Sequence, residues 1–429
     1  MKTYFYKIFK YVIRLESKIA FYPTIISVLG VFFAFLMYYL EELNLSNYLK
    51  EHTPWLVIKN IETARVILTT FVAGLVSIMV FSFSMVMLLL NQASSSYSPR
   101  VLPGLISNRR HQIILGIFNS CLLYCIFTLI ALDSTDSQQY QIPGFSVLLS
   151  IVFMAVCLGA FIYFIHSISQ EIQINNIMKA IFLKAKSRLE TIMKSENDIP
   201  ENFPESKNWT VLKAVRSGYI EDVGLPAICE VLKDDGLKAE IVVYKGEYVL
   251  EGMPLLKVSN SVTDEQEDKL LAAFSYSRSE LIEDNYVLAF KHITEIIVKA
   301  MSPGINDPGT ALNGIDYLMD LFMLRMQKQD HSYYFNDNDE AVIYVKTLNF
   351  KLLLYNVMSS LRTYCTGDVI IVQKLIKMLG HLLQNHHCAH SNYKDDVREE
   401  LENLLEDAKR AIKNPSDVEV VSSQFNAVL

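Results

Sequence analysis

Hydroxyl and amide side chains recur at a fixed interval within one strongly apolar stretch of the chain. An interval of seven residues separates Thr70, Ser77, Ser84 and Asn91, and Gly74 falls close to the same line. On a helix this spacing places the side chains on one narrow face, which we call the polar stripe. In a membrane helix such a stripe either packs and hydrogen-bonds against another helix or lines a path for water.

The second interpretation predicts a pore built from one such helix per subunit of an oligomer. Rings of hydroxyls and amides would face water, and Phe81 and Leu88 would form apolar constrictions that gate by dewetting. The candidate pore-lining residues are therefore Thr70, Gly74, Ser77, Phe81, Ser84, Leu88 and Asn91.

A hydroxyl-rich segment follows the stripe and is stopped by Pro99, because proline cannot continue a helix. In a channel this segment would be the cytoplasmic mouth, although an ordinary helix end explains it equally well. The candidate residues of the mouth are Ser94, Ser95, Ser96 and Arg100.

A second polar cluster lies at residues 302–310, with the sequence SPGINDPGT. Asp307 is suited to be the N-cap, and Pro308 the first residue, of a following helix. A tight turn between helices explains every residue, whereas the alternative is a small-anion or phosphate site at the helix N-terminus, which the charge of Asp307 opposes. The candidate regulatory residues are Ser302, Asn306, Asp307 and Thr310.

A cluster of imidazoles and one thiol lies near the C-terminus. Neutral imidazole and thiolate bind zinc, but the spacing here follows no known zinc finger, so we expect neither a metal nor a cofactor. No phosphate-binding loop, dinucleotide fingerprint, nucleophile elbow or metalloprotease motif occurs, and no basic aromatic face indicates nucleic acid. The sequence therefore predicts no enzyme. The members of the cluster are His381, His386, His387, Cys388 and His390.

Four stretches without Asp, Glu, Lys or Arg are each long enough to span a bilayer, at residues 19–40, 66–90, 113–132 and 145–165. Basic residues precede the first, lie between the second and third, and follow the fourth, which predicts that both termini are cytoplasmic. We expect a multi-pass protein of the bacterial inner membrane. The absence of ionised residues from the spans disfavours a proton-coupled carrier.

The two halves of the chain differ in charge: residues 1–166 carry +4 and residues 167–429 carry −11, which gives the net −7. We predict a mainly α membrane protein with four transmembrane helices followed by a cytoplasmic α+β region. The predicted segments are a basic N-terminus at 1–18, a transmembrane domain at 19–166, an amphipathic helix and linker at 167–208, a β-rich module at 209–260 and a helical domain at 261–429. A turn–strand–turn at residues 245–255 is typical of lipoyl-type barrels, but the Met-Lys-Met hairpin that carries a prosthetic group is absent.

Several motifs resemble those of a widespread bacterial family of predicted four-span inner-membrane proteins of unknown function. They are QASSSYSPR at residues 92–100, SPGINDP at residues 302–308, LGIF at residues 115–118 and SGYI at residues 217–220. The resemblance reaches from the first span to about Leu321. It implies an inner-membrane location and four spans, and it brings no catalytic residues.

Two functions of different classes remain open. The first is an oligomeric ion or small-solute channel that the cytoplasmic region gates, with ion transport as its activity. The second is a non-conducting sensor or scaffold whose cytoplasmic region binds a ligand or partner. The expected partners are the lipid bilayer, including anionic lipids at a basic collar formed by Arg100, Arg109 and Arg110, further copies of the chain, and ions or small solutes.

Overall fold

The computed structural model of the 429-residue chain describes residues 21–43, 45–52, 58, 60–96, 109–133, 143–171, 173–194, 203–233, 236–277, 285–336, 338 and 340–429. The chain divides into two compact units, Met1–Gln173 and Ile174–Leu429. The first contains the apolar helices, and the second contains small sheets and further helices. The predicted fold class is therefore confirmed.

The first unit contains five described helices: α1 (Phe21–Glu42), α2 (Leu45–His52), α3 (Ile61–Ser96), α4 (Arg109–Asp133) and α5 (Gly144–Glu171). Four of them, α1, α3, α4 and α5, are long and apolar enough to cross a membrane. They coincide with the four predicted spans. The helix that contains the second span is longer than the predicted span, because it begins at Ile61 and continues through the serine-rich segment as far as Ser96.

The central helix of the first unit is α4, which packs against α1, α3 and α5. Its approach to α1 is close, since a β-carbon on Gly30 would overlap the Ser120 Oγ atom. A β-carbon on Gly116 would likewise lie 2.9 Å from Ile26. Small residues at these contacts let the two backbones meet, as in many membrane helix pairs.

Polar groups satisfy the start of α5. The Glu41 carboxylate accepts hydrogen bonds from the Ser146 amide at 3.0 Å and from its hydroxyl at 2.9 Å. Ser46 Oγ accepts the Phe145 amide at 3.1 Å, and the Tyr124 hydroxyl donates to the Ser146 carbonyl at 3.0 Å. The first four amides of a helix lack partners within it, so these contacts fix the end of the fourth span.

The second unit contains nine described helices and eight described strands. The helices are α6 (Ile174–Lys194), α7 (Leu225–Lys233), α8 (Asp264–Ala272), α9 (Val287–Ala300), α10 (Pro308–Arg325), α11 (Phe350–Cys365), α12 (Val369–Leu383), α13 (Asn392–Ala411) and α14 (Pro415–Val428). The strands are β1 (Thr210–Lys213), β2 (Gly218–Val223), β3 (Ala239–Ile241), β4 (Tyr248–Val249), β5 (Pro254–Val258), β6 (Phe274–Ser277), β7 (His331–Phe335) and β8 (Ala341–Lys346).

The strands form a five-stranded sheet in the order β1-β5-β3-β8-β7 and a three-stranded sheet in the order β4-β2-β6. Three of them, β6, β7 and β8, lie in the range 261–429 that the sequence predicts to be helical. That expectation was wrong for β8 because its short apolar, β-branched run pairs in parallel with β3 and so forms a buried strand. Residues 331–335 form β7, which pairs antiparallel with β8, and the Tyr333 and Tyr344 rings of the two strands are in contact.

The turn–strand–turn expected at residues 245–255 is present, with Gly246 at φ 89° and Gly252 at φ 83° on either side of β4. Both glycines adopt the left-handed conformation that other residues avoid. Gly246 is also crowded, since a β-carbon there would lie 2.5 Å from the Asn285 amide nitrogen. That amide donates to the Lys245 carbonyl at 3.0 Å, which ties the turn to the segment before α9.

The helical part of the second unit is built around α9 and α10. One face of α6 packs against both helices through Ile177, Met178 and Ile181. Gly314 of α10 allows a close approach, because its β-carbon would lie 2.5 Å from Ile297 Cγ1.

Arg325 at the end of α10 is fully buried. It pairs with Asp330 and donates to the carbonyls of Lys328 at 3.1 Å and Leu348 at 3.0 Å. Its charge is therefore paired inside the fold, while its Nε atom has no hydrogen-bonding partner among the described residues.

Candidate functional site

The polar stripe faces outward from the four-helix unit. Thr70, Ser77, Ser84 and Asn91 are all exposed, while the opposite face of α3 is buried against the other spans. Seven-residue spacing keeps all four on this one side of the helix. In a single copy the stripe therefore faces the surroundings of the bundle. Fully buried side chains on the opposite face are those of Ala64, Leu68 and Leu75.

The remaining candidate lining residues lie beside the stripe, on the side of α3 nearest α5. The Phe81 ring meets Phe161 edge to face at 5.9 Å, and Gly74 faces Met154, whose Cε would lie 3.6 Å from a β-carbon there. Phe81 is 52% exposed and Leu88 is 64% exposed. Six of the seven candidates are thus exposed on one outward side of α3, whereas Gly74 is half-buried beside α5.

Two hydroxyls of the polar stripe are bonded to their own helix. Thr70 donates to the Val66 carbonyl at 2.7 Å and Ser77 to the Ala73 carbonyl at 2.9 Å. A back-bonded hydroxyl keeps its acceptor lone pairs, so it can face lipid without an unpaired donor and can still accept a hydrogen bond from water or from a neighbouring helix. This geometry is compatible with both interpretations of the stripe.

The sequence analysis did not identify one buried polar residue of α3. Ser82 is fully buried on the face opposite the stripe, and its hydroxyl has no hydrogen-bonding partner among the residues that the structure describes. It lies off the seven-residue repeat, so only the packing of α3 against its neighbours identifies it.

The predicted mouth is only partly within the described residues. The backbone of Ser94, Ser95 and Ser96 forms the last turn of α3, and Arg100 lies outside the described residues. Of the basic collar, Arg109 and Arg110 are exposed at the start of α4.

The SPGINDP loop, residues 302–308, is an exposed turn between α9 and α10 whose polar groups bond within the turn. Asp307 caps α10 as predicted, accepting hydrogen bonds from the Thr310 amide at 3.1 Å and the Thr310 hydroxyl at 2.6 Å. Ser302 donates to the Lys299 carbonyl at 2.6 Å, and Asn306 adopts a left-handed φ of 50°. The four candidate regulatory residues are thus brought together by the turn.

The hydrogen bonds to the Thr310 hydroxyl and amide hold the pKa of the Asp307 carboxyl below its usual value. An ionised carboxylate therefore occupies the helix N-terminus, where an anion would otherwise bind. The geometry accordingly agrees with an interhelical turn more than with a phosphate site.

The histidine cluster near the C-terminus is dispersed among ordinary contacts. Cys388 donates to the Asn385 carbonyl at 3.4 Å, and His390 packs edge to face on Tyr393 at 5.4 Å. Within the described part of the chain no three His, Cys, Asp or Glu side chains are arranged to hold a metal ion.

A groove of about 310 Å³ lies between α11 and α13 in the second unit. Its floor includes the exposed apolar side chains of Leu352 and Tyr355, and its rim is acidic. Lys351 bridges the rim by pairing with Glu399 at 2.7 Å and Asp396 at 3.6 Å. The sequence analysis missed this groove, because its two walls are about forty residues apart in the chain.

Comparison with known proteins gives distant bacterial relatives. The chain is 22% identical over 366 residues to Uncharacterized protein Mb1321c of Mycobacterium bovis and to Uncharacterized protein Rv1290c of Mycobacterium tuberculosis, covering 82% of this chain and 70% of each relative. No solved structure matches the chain. The family model described as Predicted membrane protein (DUF2254) matches residues 16–381. With four helices long and apolar enough to cross a membrane and a match over most of its length, the chain belongs to the DUF2254 family of predicted membrane proteins.

Proposed function

We propose that this protein is an oligomeric channel for ions or small solutes, lined by the second span and gated by its second unit. It lies in the bacterial inner membrane with both termini in the cytoplasm. In the oligomer each copy contributes one α3 helix to a ring, and the polar stripe faces the central axis.

The observation that carries this proposal is the outward direction of the stripe. A stripe used for packing within one copy would lie against α1, α4 or α5, but Thr70, Ser77, Ser84 and Asn91 are exposed. Lipid gives such side chains no hydrogen bonds, whereas water in a pore or another copy does. Assembly through this face places hydroxyls and an amide along the full length of the span.

In this proposal the side chains of Phe81 and Leu88 close the pore. Both are large, apolar and more than half exposed on the same outward face. A ring of such side chains excludes water from a narrow pore, so rotation of α3 by a fraction of a turn would exchange apolar for hydroxyl rings. Only two residues separate the end of α5 from the start of α6. In this proposal that covalent connection transmits movement of the second unit to the spans.

Flux through purified full-length protein in liposomes tests the proposal. Ser84→Leu should reduce flux by roughly fivefold or more, because it replaces a hydroxyl ring with an apolar one. The matched control is Phe83→Leu, which changes the adjacent, 59% exposed side chain about 100° around the helix. Absence of flux from correctly assembled parent protein, or equal effects of the two variants, would reject the pore.

A second function is a non-conducting sensor, which the groove between α11 and α13 favours. Its apolar floor and acidic rim suit a partner segment with an apolar face and basic residues. Under this alternative, Tyr355→Ala would abolish partner binding, and Ser84→Leu would leave every activity unchanged.

A further inference from the structure

The first unit carries an open groove between the first and third spans. Its volume is about 490 Å³, within the range of small-ligand sites. The wall from α1 includes Thr24, Ser27 and Val31, and the wall from α4 includes Asn119 and Leu123. Since α1 packs mainly on α4 and none of the groove residues belongs to α3, this groove is separate from the proposed pore face.

The groove is polar at one end and apolar at the other. Pro23 lies beside Gly116, and Gly30 beside Ser120, so α1 and α4 run in parallel and begin at the same membrane face. The hydroxyls of Thr24 and Ser27 line the part nearer that face. Asn119, next to Ser120, lies deeper, and Val28, Val31 and Leu123 supply the apolar lining.

Positively charged groups lie near the polar end of the groove. Arg109 and Arg110 begin α4 and are exposed, and the Arg109 guanidinium lies 4.6 Å above the ring of Tyr22, next to the first groove residue, Pro23. The amides at the start of a 25-residue helix add to this positive potential. Basic pockets between membrane helices bind the headgroups of anionic lipids.

One side chain of the groove, that of Asn119, can form hydrogen bonds with a ligand. Asn119 is half-buried inside the third span and lines the groove, and within the described residues its amide has no hydrogen bond. Ser27 on the facing wall directs its own hydroxyl to the Pro23 carbonyl at 2.6 Å. In hydrocarbon an amide without a partner is costly, so a ligand that offers acceptors satisfies it.

We propose that this groove is a binding site for one anionic phospholipid of the membrane. Its phosphate contacts Arg109, with Arg110 adding positive charge at the same end of α4, an ester carbonyl accepts from the Asn119 amide, and an acyl chain lies along Val31 and Leu123. The proposal goes beyond the channel and stands without it, since none of these residues belongs to α3.

Native mass spectrometry of the full-length protein in detergent tests the site by titration with phosphatidylglycerol and with phosphatidylcholine of the same chains. The parent should bind the anionic lipid roughly tenfold more tightly. The double variant Arg109→Gln, Arg110→Gln should lose that preference, whereas Arg109→Lys, Arg110→Lys should keep most of it. Inorganic phosphate should not displace the lipid.

A second variant tests the groove without touching the charges. Ser27→Phe fills it and should reduce retention of both lipids, whereas Leu29→Phe, on the 60% exposed side of α1 outside the groove, should not. Arg65→Gln, at the start of α3, is the charge control. Equal affinity of the parent for both lipids, a preference that survives the Gln pair, or unchanged retention in Ser27→Phe would each overturn the proposal. Dissociation of an oligomer by Ser27→Phe with lipid binding intact would assign the groove to a second copy and also overturn it.

Discussion

Replacing Asp330 with alanine tests the role of the buried ion pair in the second unit. Asp330 pairs with Arg325, and its Oδ1 atom also accepts the Phe350 amide at 2.9 Å. The Arg325 side chain is 0% exposed and the Asp330 side chain 18% exposed. The substitution therefore removes the charge partner of a guanidinium that cannot reach water.

The expected loss of stability follows from the contacts that Arg325 keeps in the variant. In the variant Arg325 keeps the carbonyls of Lys328 and Leu348, but its charge stays buried without a counter-ion. Breaking one partner of a buried pair costs about 3–5 kcal/mol. For a unit of this size that corresponds to a fall in melting temperature of roughly 6–20 °C. Asp330→Asn should cost less, because the amide oxygen can still accept from Phe350.

Thermal unfolding of the full-length protein in detergent, followed by circular dichroism, measures the effect. The matched control is Glu406→Ala, which removes a partner of Arg410 from a pair whose side chains are 71% and 74% exposed. Exposed pairs contribute about 0–1 kcal/mol, so the control should melt close to the parent. If Asp330→Ala melts within a degree or two of Glu406→Ala, the reasoning about the buried charge is refuted.

Three further outcomes are expected. Asp307→Ala should destabilise the second unit by about 0.5–2 kcal/mol at neutral pH through loss of the N-cap. Because the folded pKa of Asp307 is lowered, its contribution is present above the unfolded pKa and disappears as pH falls through the folded pKa, so denaturant titrations of parent and variant should converge in acid. Gly314→Val should cost about 1–3 kcal/mol in the same assay, since its β-carbon would meet Ile297. Leu88→Ser should raise basal flux in liposomes, and unchanged flux would remove Leu88 from the proposed gate.

The spans and several helix ends could be predicted because their signals are local. Four charge-free stretches of sufficient length have few alternatives to crossing a bilayer. The N-cap role of Asp307 was also predictable, since its carboxylate can accept the first free amides of the helix, and it does. The candidate site was predictable only as a periodic pattern on one helix.

The rest of the fold and of the candidate site could not be predicted, because it depends on contacts between segments that are distant in the sequence. A seven-residue period defines the face of α3 that is polar but not whether another span covers it. The groove beside Asn119 lies between α1 and α4, whose residues are about ninety positions apart in the sequence. Strand β8 is short and apolar, and its sequence alone does not distinguish a buried strand from part of a buried helix. Its parallel pairing with β3 makes it a strand.

That pairing also constrains the order of events during synthesis. Ala239 of β3 faces Ile343 of β8, about a hundred residues later, so the five-stranded sheet cannot close until the chain beyond Lys346 has left the ribosome. Until then β3 is an edge strand with unpaired backbone groups, while the spans have already been made. Chains that terminate before Ala341 should therefore reach the membrane with an open sheet edge, prone to pair with other chains and exposed to proteolysis.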